Sequence, residues 1–422
     1  MDRLEIQAAI GCNIYISEGR NKQVIDRLQA EAEATPGVVL ANLFTDHPYN
    51  RSGFTLVSTH PDRLTAAVVR LSRAALALLD MRTHEARHPR LGVVDHISLH
   101  PLGSLVRPQH AGGAGGHDAH HHHRQHGSPP RPHAGGEPQG QAAHSGAGSP
   151  GAYVTVWEPP PRGLAGMAVP ASCAQDIAWS LSGPTEPDTR ENTEEPEWPA
   201  AGLNAPAAAA SSEDSAAAAG AEREAAAAAA AAQDSAAAGL PVYLYGFAHG
   251  GRRTLADVRR QLGYFRSSPD GGWQGGLDRL TQAPDLSHCP PDMGPLEAPP
   301  RAGVLTVGAV PWVVNFNMPL KGVGLDLARQ LARALTERGG GLPAVEAMAL
   351  QHQDSTVEVA CNLLDVSVSS EHAVAARMEV LAAAHGLTSG SVGPGYRTNR
   401  SPEDLLRTAA GALLREAIAR AG

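Results

Sequence analysis

The sequence predicts an α+β fold, in which strands are mixed with helices that are apolar on one face. Two observations carry this prediction. Short runs with strand character are interspersed among segments of helical periodicity. The helical segments have apolar residues at helical spacing, namely Val24, Ile25, Leu28 and Ala32, then Leu64, Val68, Leu71, Ala75 and Leu78, and then Leu327, Leu331 and Leu335.

The strand predictions follow the chain in order. Residues 38–44 come after Pro36-Gly37, residues 54–57 form a second candidate, and residues 92–97 return to strand character after the long helical stripe. In the second half, residues 242–245, 304–316 and 357–364 are strand-like. The last helical stripe ends at residues 339–341, a Gly-Gly-Gly sequence that terminates a helix.

Two low-complexity segments interrupt this pattern. Residues 103–165 are rich in Gly, Pro and His, and residues 183–239 are rich in Ala and Glu. Such compositions bury too little apolar surface to offset the entropy of ordering, so both segments are expected to be disordered. Between them, residues 167–181 predict a helix that returns to the core through Ile177, Trp179 and Leu181.

The net charge of −9 belongs to one of these segments. Residues 183–239 contain two basic and eleven acidic side chains, so the rest of the chain is electrically balanced. This balance disfavours a basic nucleic-acid-binding domain. The four cysteines form no C-x-x-C pair, which disfavours a disulfide framework or a cysteine zinc site.

The chain start and the hydropathy pattern predict a soluble, cytoplasmic protein. The first five residues do not begin a signal or transit peptide. Outside the alanine tract, no window holds eighteen uninterrupted apolar residues, so no membrane span is expected.

His88 is the strongest candidate for chemistry. It lies in residues 84–90, His-Glu-Ala-Arg-His-Pro-Arg, between the long helical stripe and the strand at Val93. A following proline disfavours the helical conformation, so His88 is expected on an extended turn at the end of an element. Imidazole titrates at about pH 6.5, which suits proton transfer. The alternative is a surface histidine in a polar turn.

Polar residues at strand ends are further candidates. Arg51 could hold a carboxylate bidentately, or Asn50 could make a turn and leave Arg51 solvated. Asn315 and Asn317 alternate around Phe316, so both amides should face one side of a strand. Asn362 interrupts an apolar run and needs a hydrogen-bond partner, either in a site or in the backbone.

Two further sequence features support no functional prediction. The histidine run 120–123 lies in a flexible tract that is not preorganised for a metal, so no metal site is predicted. No glycine-rich phosphate-binding motif follows a strand, so nucleotide binding is not predicted either.

An ordered set of short motifs carries a family resemblance. The set consists of Ser17-Glu18-Gly19-Arg20-Asn21, Thr35-Pro36-Gly37, Asn50-Arg51, Asp80-Met81, His88-Pro89-Arg90, Gly92, Asp95, Pro241-Val242-Tyr243-Leu244-Tyr245-Gly246, Pro291-Asp292-Met293-Gly294-Pro295, Phe316-Asn317 and Asn362-Leu363-Leu364-Asp365. The set resembles the formiminotransferase domain family, the glutamate formimidoyltransferases of the formiminotransferase-cyclodeaminase group. Residues 339–342, 358–362 and 393–396 resemble the plant branch of that family.

The resemblance implies two ferredoxin-like α/β subdomains with folate in the cleft between them, and a homodimer. The N-terminal subdomain would comprise residues 1–102 and 166–182, and the C-terminal subdomain residues 240–422. Residues 103–165 would be a disordered insertion and residues 183–239 a low-complexity linker.

The resemblance also implies an activity. A formimino or formyl group would pass from N-formiminoglutamate to N5 of tetrahydrofolate, the co-substrate, with His88 as general acid/base. Folate and substrate would be bound by Asn50, Arg51, Arg90, Asp95, Gly294, Pro295, Gly303, Asn317 and Asn362.

Two departures from the family pattern affect His88. Phe44 stands where the animal enzymes carry an acidic residue, and Arg87 stands where the family has Glu before His-Pro-Arg. Two alternatives therefore accompany the enzyme hypothesis. One is a folate-binding protein of the same fold without transferase activity, and the other is an interaction protein that acts through its insertions.

Overall fold

A computed structural model of the chain describes residues 6–106, 155–183, 239–251, 253–265, 286–353, 356–388 and 390–421. The strands are β1 (Ile6–Ile16), β2 (Val38–Asp46), β3 (Arg51–Ser58), β4 (Val94–Val106), β5 (Val156–Glu158), β6 (Val242–Gly246), β7 (Leu305–Ala309), β8 (Val314–Lys321), β9 (Val345–Gln353), β10 (Thr356–Leu363) and β11 (Tyr396–Arg397). The helices are α1 (Lys22–Glu33), α2 (Pro61–Leu78), α3 (Leu164–Ser182), α4 (Leu255–Gln261), α5 (Leu325–Leu335), α6 (Glu371–Ala384) and α7 (Pro402–Ala421).

The described residues form two β-sheets. The first has the strand order β2-β3-β1-β4-β7-β6, with β5 paired to β4. Strands β2, β3, β1 and β4 pair antiparallel, whereas β4, β7 and β6 pair parallel. The second sheet has the order β11-β8-β10-β9 and is antiparallel throughout. The mixed α and β fold that the sequence predicts is confirmed.

Helices cover one face of each sheet. α1, α2 and α3 pack on the first sheet around a core that includes Ile14, Phe54, Leu71 and Ile177, while α5 and α6 pack on the second sheet around Met318 and its neighbours. The C-terminal helix α7 covers one end of the opposite face of the first sheet, against β2 and β4. On the same face, α4 packs against β6 and β7 through an apolar cluster that includes Tyr243, Tyr245 and Val258. Polar side chains of β1 and β4 lie between these two covered regions and line a cavity that the second sheet also lines.

The predicted strand 304–316 is two strands in two different sheets. β7 ends at Ala309 and β8 begins at Val314. Pro311 lies between them and has no N–H for a sheet ladder, and the chain crosses here from the first sheet to the second. The prediction of one continuous strand is therefore wrong.

The first sheet extends beyond the subdomain bounds expected from the sequence. Strands β6 and β7 lie in residues 240–309, yet they pair with β4 of the first sheet. A parallel strand needs a crossover connection, and α3, packed against β4 and β7, lies on the path from β4 to β6. Along the chain, the second sheet therefore begins at Val314.

Parts of the segments expected to be disordered are regular structure. β4 continues to Val106, pairs with β5, and α3 begins at Leu164. Leu105 is buried beneath α7, which explains why the strand continues. Residues 107–154 and 184–238, the remainder of the two segments, lie outside the described residues.

The segment 167–181 is the central part of α3, as predicted, and Ile177 and Leu181 are buried in the core. Trp179 does not join them, because its side chain is 75% exposed. Across the described ranges, no helix is both long and apolar enough to cross a membrane.

Candidate functional site

A cavity of about 1130 Å³ lies between the polar faces of the two sheets. Six of the residues that the sequence predicts as site residues line it, namely Arg51, His88, Arg90, Asp95, Asn317 and Asn362. Of the described residues, eight arginines but only three carboxylates line the cavity. A concave site with this balance suits an anionic ligand.

The first sheet contributes a wall of polar side chains from β1 and β4. His100 Nδ1 lies 3.0 Å from the carbonyl oxygen of Val310 and donates to it. Its Nε2 therefore accepts hydrogen bonds from Asn13 Nδ2 at 3.3 Å and from Ser98 Oγ at 2.9 Å. Burial lowers the pKa of His100 to about 4, so the ring is neutral and fixes the segment that joins the two sheets.

The second sheet contributes a row of amides. Asn315 and Asn317 both face the cavity while Phe316 packs in the core, as the alternation predicts. Asn315 Nδ2 donates to Asn362 Oδ1 at 2.8 Å, so a side chain satisfies that amide oxygen. Tyr15 reaches across from β1 and donates to Asn315 Oδ1 at 3.3 Å.

His88 is buried in the wall of the cavity, with only 7% of its surface exposed, so the alternative of a surface histidine is wrong. Its Nε2 lies 2.9 Å from Arg51 Nη1. Its Nδ1 lies 2.5 Å from Arg90 Nη1 and 2.9 Å from the carbonyl oxygen of Pro89. Burial, followed by the charges of Arg51 and Arg90, holds the pKa of His88 well below its usual value. The imidazole is therefore neutral at neutral pH.

Aromatic rings surround the Arg51 guanidinium. Its Cζ lies 5.2 Å from the ring centroid of Tyr49, 5.8 Å from that of Tyr15 and 5.9 Å from that of Phe44. Its Nε is buried and has no hydrogen-bond partner in the described part of the chain. The aromatic faces attract the cation but provide no hydrogen-bond partner for its Nε.

Arg90 is anchored by backbone oxygens. Its Nη2 donates to the carbonyl oxygen of Tyr49 at 2.8 Å, and its Nη1 donates to that of Pro89 at 2.8 Å. Burial lowers the pKa of Arg90 to about 10, so the side chain is still charged at neutral pH.

Asp95 is paired with an arginine that the sequence did not single out. Arg259 Nη2 donates to Asp95 Oδ2 at 2.9 Å, and the backbone N–H of Leu91 donates to Oδ1 at 2.8 Å. Arg259 lies on α4, which begins at a Thr254–Asp257 capping box. That Thr-x-x-Asp pattern is the signal from which the helix could have been found.

Asn50 does not line the cavity. It has a positive φ of 46°, accepts from the backbone N–H of Gly19 at 2.9 Å, and donates to the carbonyl oxygen of Glu85 at 3.0 Å. Asn50 therefore makes the turn, as one alternative held, but Arg51 faces the cavity and not the solvent.

Gly294, Pro295 and Gly303 also lie outside the cavity wall. Gly294 and Gly303 have φ angles of 89° and 74°. A Cβ on Gly303 would come within 2.3 Å of the carbonyl oxygen of Leu91. These glycines allow backbone segments to approach closely.

Two further carboxylates were missed by sequence reasoning. Glu346 lines the cavity, and burial raises its pKa. Glu358 is 2% exposed and accepts from Asn317 Nδ2 at 3.1 Å and from Tyr396 Oη at 2.6 Å. Glu358 belongs to the family-like segment 358–362 and shares a strand face with Asn362, a signal that could have found it. The sequence does not show that either glutamate is buried, because their burial depends on the approach of the two sheets. The described residues contain no group of three or more His, Cys, Asp or Glu arranged for a metal ion.

Comparisons with known proteins agree with this architecture. Residues 9–121 and 213–310 match the sequence profile of the "Formiminotransferase domain, N-terminal subdomain". The second matched range reaches β7, the last strand of the first sheet to appear along the chain.

Relatives match over different lengths. A formiminotransferase cyclodeaminase-like protein of Arabidopsis thaliana is 29% identical over 400 residues, 94% of each chain. The glutamate formimidoyltransferase of Streptococcus pyogenes is 38% identical over 97 residues, which cover 23% of this chain and 32% of that protein. The formimidoyltransferase-cyclodeaminase of Sus scrofa is 35% identical over 93 residues, which cover 22% of this chain and 17% of that protein. The chain belongs to the formiminotransferase domain family.

Proposed function

We propose that this protein is a transferase of the glutamate formimidoyltransferase type. It would transfer a formimino group from N-formiminoglutamate, or a formyl group from N-formylglutamate, to N5 of tetrahydrofolate. The observation that carries the proposal is the buried, neutral His88 between Arg51 and Arg90 in the wall of an arginine-rich cavity, in a chain of this family.

The strand order supports a pair of ferredoxin-like subdomains. The series β1-α1-β2-β3-α2-β4 and the series β8-α5-β9-β10-α6-β11 are both of the β-α-β-β-α-β type, with sheet orders β2-β3-β1-β4 and β11-β8-β10-β9. We infer that the first subdomain also includes β6 and β7. A homodimer and a cytoplasmic location are further expectations that rest on the family resemblance.

The cavity suits the proposed ligands. Its volume of about 1130 Å³ exceeds the range of roughly 300 to 1000 Å³ that holds one drug-sized molecule, so a pterin and an amino-acid donor have room together. Arg51 and Arg90 supply donors for carboxylates. Asn317, whose Nδ2 donates to Glu358, is free to present its carbonyl oxygen to the pterin edge.

The chemistry needs one proton to move between two nitrogens. N5 of tetrahydrofolate forms a bond to the formimino carbon and loses its proton, and the bond from that carbon to the glutamate nitrogen then breaks as this nitrogen gains a proton. His88, neutral before the reaction, would accept the first proton and deliver it to the leaving amine. Holding both substrates in the cavity would supply much of the rate.

One observation favours the alternative of a folate-binding protein without transferase activity. Both nitrogens of His88 lie beside guanidinium groups, and no carboxylate among the described residues hydrogen-bonds to the ring. The further alternative, an interaction protein acting through its insertions, concerns residues that lie largely outside the described ones.

Two assays on the full chain separate these functions. Binding of tetrahydrofolate is measured by calorimetry, and turnover of N-formiminoglutamate by formation of 5-formiminotetrahydrofolate. We expect both in the wild type, loss of turnover in His88→Ala, and normal turnover in His385→Ala, which changes an exposed histidine on the second subdomain. Folate binding without turnover would select the binding protein. The absence of both folate binding and turnover in the wild type would overturn the proposal.

A further inference from the structure

His88 is flanked by more hydrogen-bond donors than it can accept. Arg51 Nη1 lies 2.9 Å from one ring nitrogen, and Arg90 Nη1 lies 2.5 Å from the other. A neutral imidazole carries one N–H donor and one acceptor nitrogen, while a guanidinium only donates. Whichever tautomer forms, one guanidinium N–H faces an N–H of the ring.

The Pro89 carbonyl indicates which nitrogen of His88 carries the proton. It lies 2.9 Å from His88 Nδ1 and can accept a proton from that nitrogen. It also accepts from Arg90 Nη1 at 2.8 Å. If Nδ1 carries the proton, Nε2 is an acceptor that Arg51 caps, and a capped Nε2 cannot take a proton from a substrate.

Neither guanidinium makes a direct ion pair within the described ranges; Asp95 acts on Arg90, and Asp46 on Arg51, from a longer distance. No carboxylate among the described residues forms an ion pair with Arg51 or Arg90, and the nearby Asp95 is paired with Arg259 at 2.9 Å. Burying a charge without a partner costs free energy. An anion bound beside these two arginines would lower that cost.

The free donors of Arg51 point to where the anion binds. Its Nε is buried without a partner, although the side chain lies in the cavity wall. The rings of Phe44, Tyr15 and Tyr49 surround the guanidinium and offer it no hydrogen-bond acceptor other than the Tyr hydroxyl groups. A planar carboxylate can accept from Nε and a terminal nitrogen of one guanidinium at the same time.

We propose that Arg51 binds a carboxylate, and that this binding breaks the contact between Arg51 Nη1 and Nε2 of His88. The histidine ring is then free to act as a base. In the proposed function this carboxylate belongs to the glutamate part of the donor, and to that extent the inference rests on the proposed function. A protein that binds carboxylates without transfer chemistry would show the same coupling.

The charges around His88 set the sign of the effect. Arg51 reaches it from β3 and Arg90 from its own loop, while Asp95 on β4 and Arg259 on α4 act together as a pair. The rings of Tyr49 and Tyr264 also face it, with centroids 5.3 and 6.3 Å away, and burial raises the pKa of both phenols, which keeps them neutral. A bound carboxylate offsets one excess positive charge and therefore favours imidazolium.

The test is a histidine-selective ¹⁵N NMR titration of the full chain with glutarate, a simple dicarboxylate. The His88 signals are assigned by their loss in His88→Gln. We expect saturating glutarate to shift the His88 Nε2 resonance and to raise its apparent pKa by about 1 to 3 units. Turnover is not needed, so a failure of the proposed function leaves this measurement valid.

Variants separate a specific site from general salt effects. Arg51→Met should raise the pKa of His88 without glutarate and remove the response to glutarate. The matched control Arg27→Met changes an exposed arginine of α1, on the helix-covered side of the first sheet, and should behave as the wild type. No response of His88 to glutarate in the wild type would overturn the proposal, as would an equal response in Arg51→Met.

Discussion

Arg259 donates from Nη2 to the carboxylate oxygen Oδ2 of Asp95 at 2.9 Å, and the two side chains are 12% and 5% exposed. The pair joins α4 to β4 in the wall of the cavity. Removing one partner of a buried ion pair leaves an uncompensated charge, so Arg259→Met should lower the free energy of unfolding by about 3 to 5 kcal/mol. Urea unfolding of the two proteins measures the difference.

The double variant Arg259→Met/Asp95→Asn is the control, because it removes both charges. It should recover most of the loss, and a double variant as unstable as Arg259→Met would contradict the ion-pair explanation.

The pH dependence of the stability that Asp95 provides has a defined sign. The pKa of Asp95 lies far below its usual range, where Arg259 and His96 hold it against the effect of burial. Its stabilisation is therefore present above pH of about 4 and lost as the pH falls further.

The pH profile of turnover should depend on whether substrate is bound. The pKa of His88 lies well below 6.5 in the free protein, first because of burial and then because of Arg51 and Arg90. The pH dependence of kcat/KM reports the pKa values of groups in the free enzyme. An unperturbed histidine has a pKa of about 6.5, but His88 should cause no inflection in kcat/KM between about pH 6 and pH 8. An inflection in kcat/KM near 6.5 that disappears in His88→Gln would contradict the neutral, buried state.

Local pattern predicted the elements of this fold better than their assembly. The helical stripes and the alternation of Asn315 and Asn317 around Phe316 depend on neighbours in sequence. The structure has the stripes of α1, α2 and α5, except that Leu78 at the end of α2 is exposed. The division of residues 304–316 between two sheets depends on which distant strands pair. This division follows from the crossover through α3 and from Pro311, and the hydropathy pattern shows neither of them.

The same limit applies to the site. His88 was found because a proline follows it, and Arg51 because it begins a strand. Arg259 and Glu358 were missed, because their burial arises from contacts more than a hundred residues away, such as those with Asp95 and Tyr49. Gly294 and Gly303 lie outside the cavity wall and have positive φ angles and close backbone contacts, which give them a structural role; folate binding at these glycines stays a prediction.

Gly303→Ala tests that structural role. The residue has a φ of 74°, and a Cβ would come within 2.3 Å of the Leu91 carbonyl oxygen. The variant should lose stability through both strain and collision, whereas Gly386→Ala, with a φ of 73° and open space around its Cβ, isolates the strain. Strain alone costs about 1 to 3 kcal/mol, so the Gly303 variant should lose more than that in chemical denaturation. Equal losses in the two variants would rule out the collision with Leu91.

Glu358→Gln tests whether the buried carboxylate positions Asn317. Glu358 accepts from Tyr396, Asn317 and Tyr49 at 2.6, 3.1 and 3.4 Å, so it ties the second sheet to the turn that precedes β3. Glutamine replaces one acceptor by a donor, and the amide of Asn317 then loses its fixed orientation. We expect stability to fall by about 1 to 3 kcal/mol and KM for tetrahydrofolate to rise while kcat changes little. The exposed control Glu379→Gln should match the wild type, and an unchanged KM in Glu358→Gln would mean that Glu358 does not orient the amide for folate.

Phe44→Asp tests the first departure from the family pattern, which predicts an acidic residue at this position. The Phe44 ring centroid lies 5.9 Å from Arg51 Cζ, and the side chain is only partly buried, so a carboxylate there can pair with the guanidinium at small cost in packing. That pair would draw Arg51 from His88 and offset its charge, and both effects raise the pKa of His88. In the histidine NMR titration without ligand, His88 should therefore become protonated at a higher pH than in the wild type, and the acid limb of kcat/KM should move in the same direction. Phe44→Asn, of equal size and without charge, should leave the titration of His88 nearly unchanged. If the asparagine and aspartate variants shift His88 equally, the cause is the loss of the ring and not the new charge.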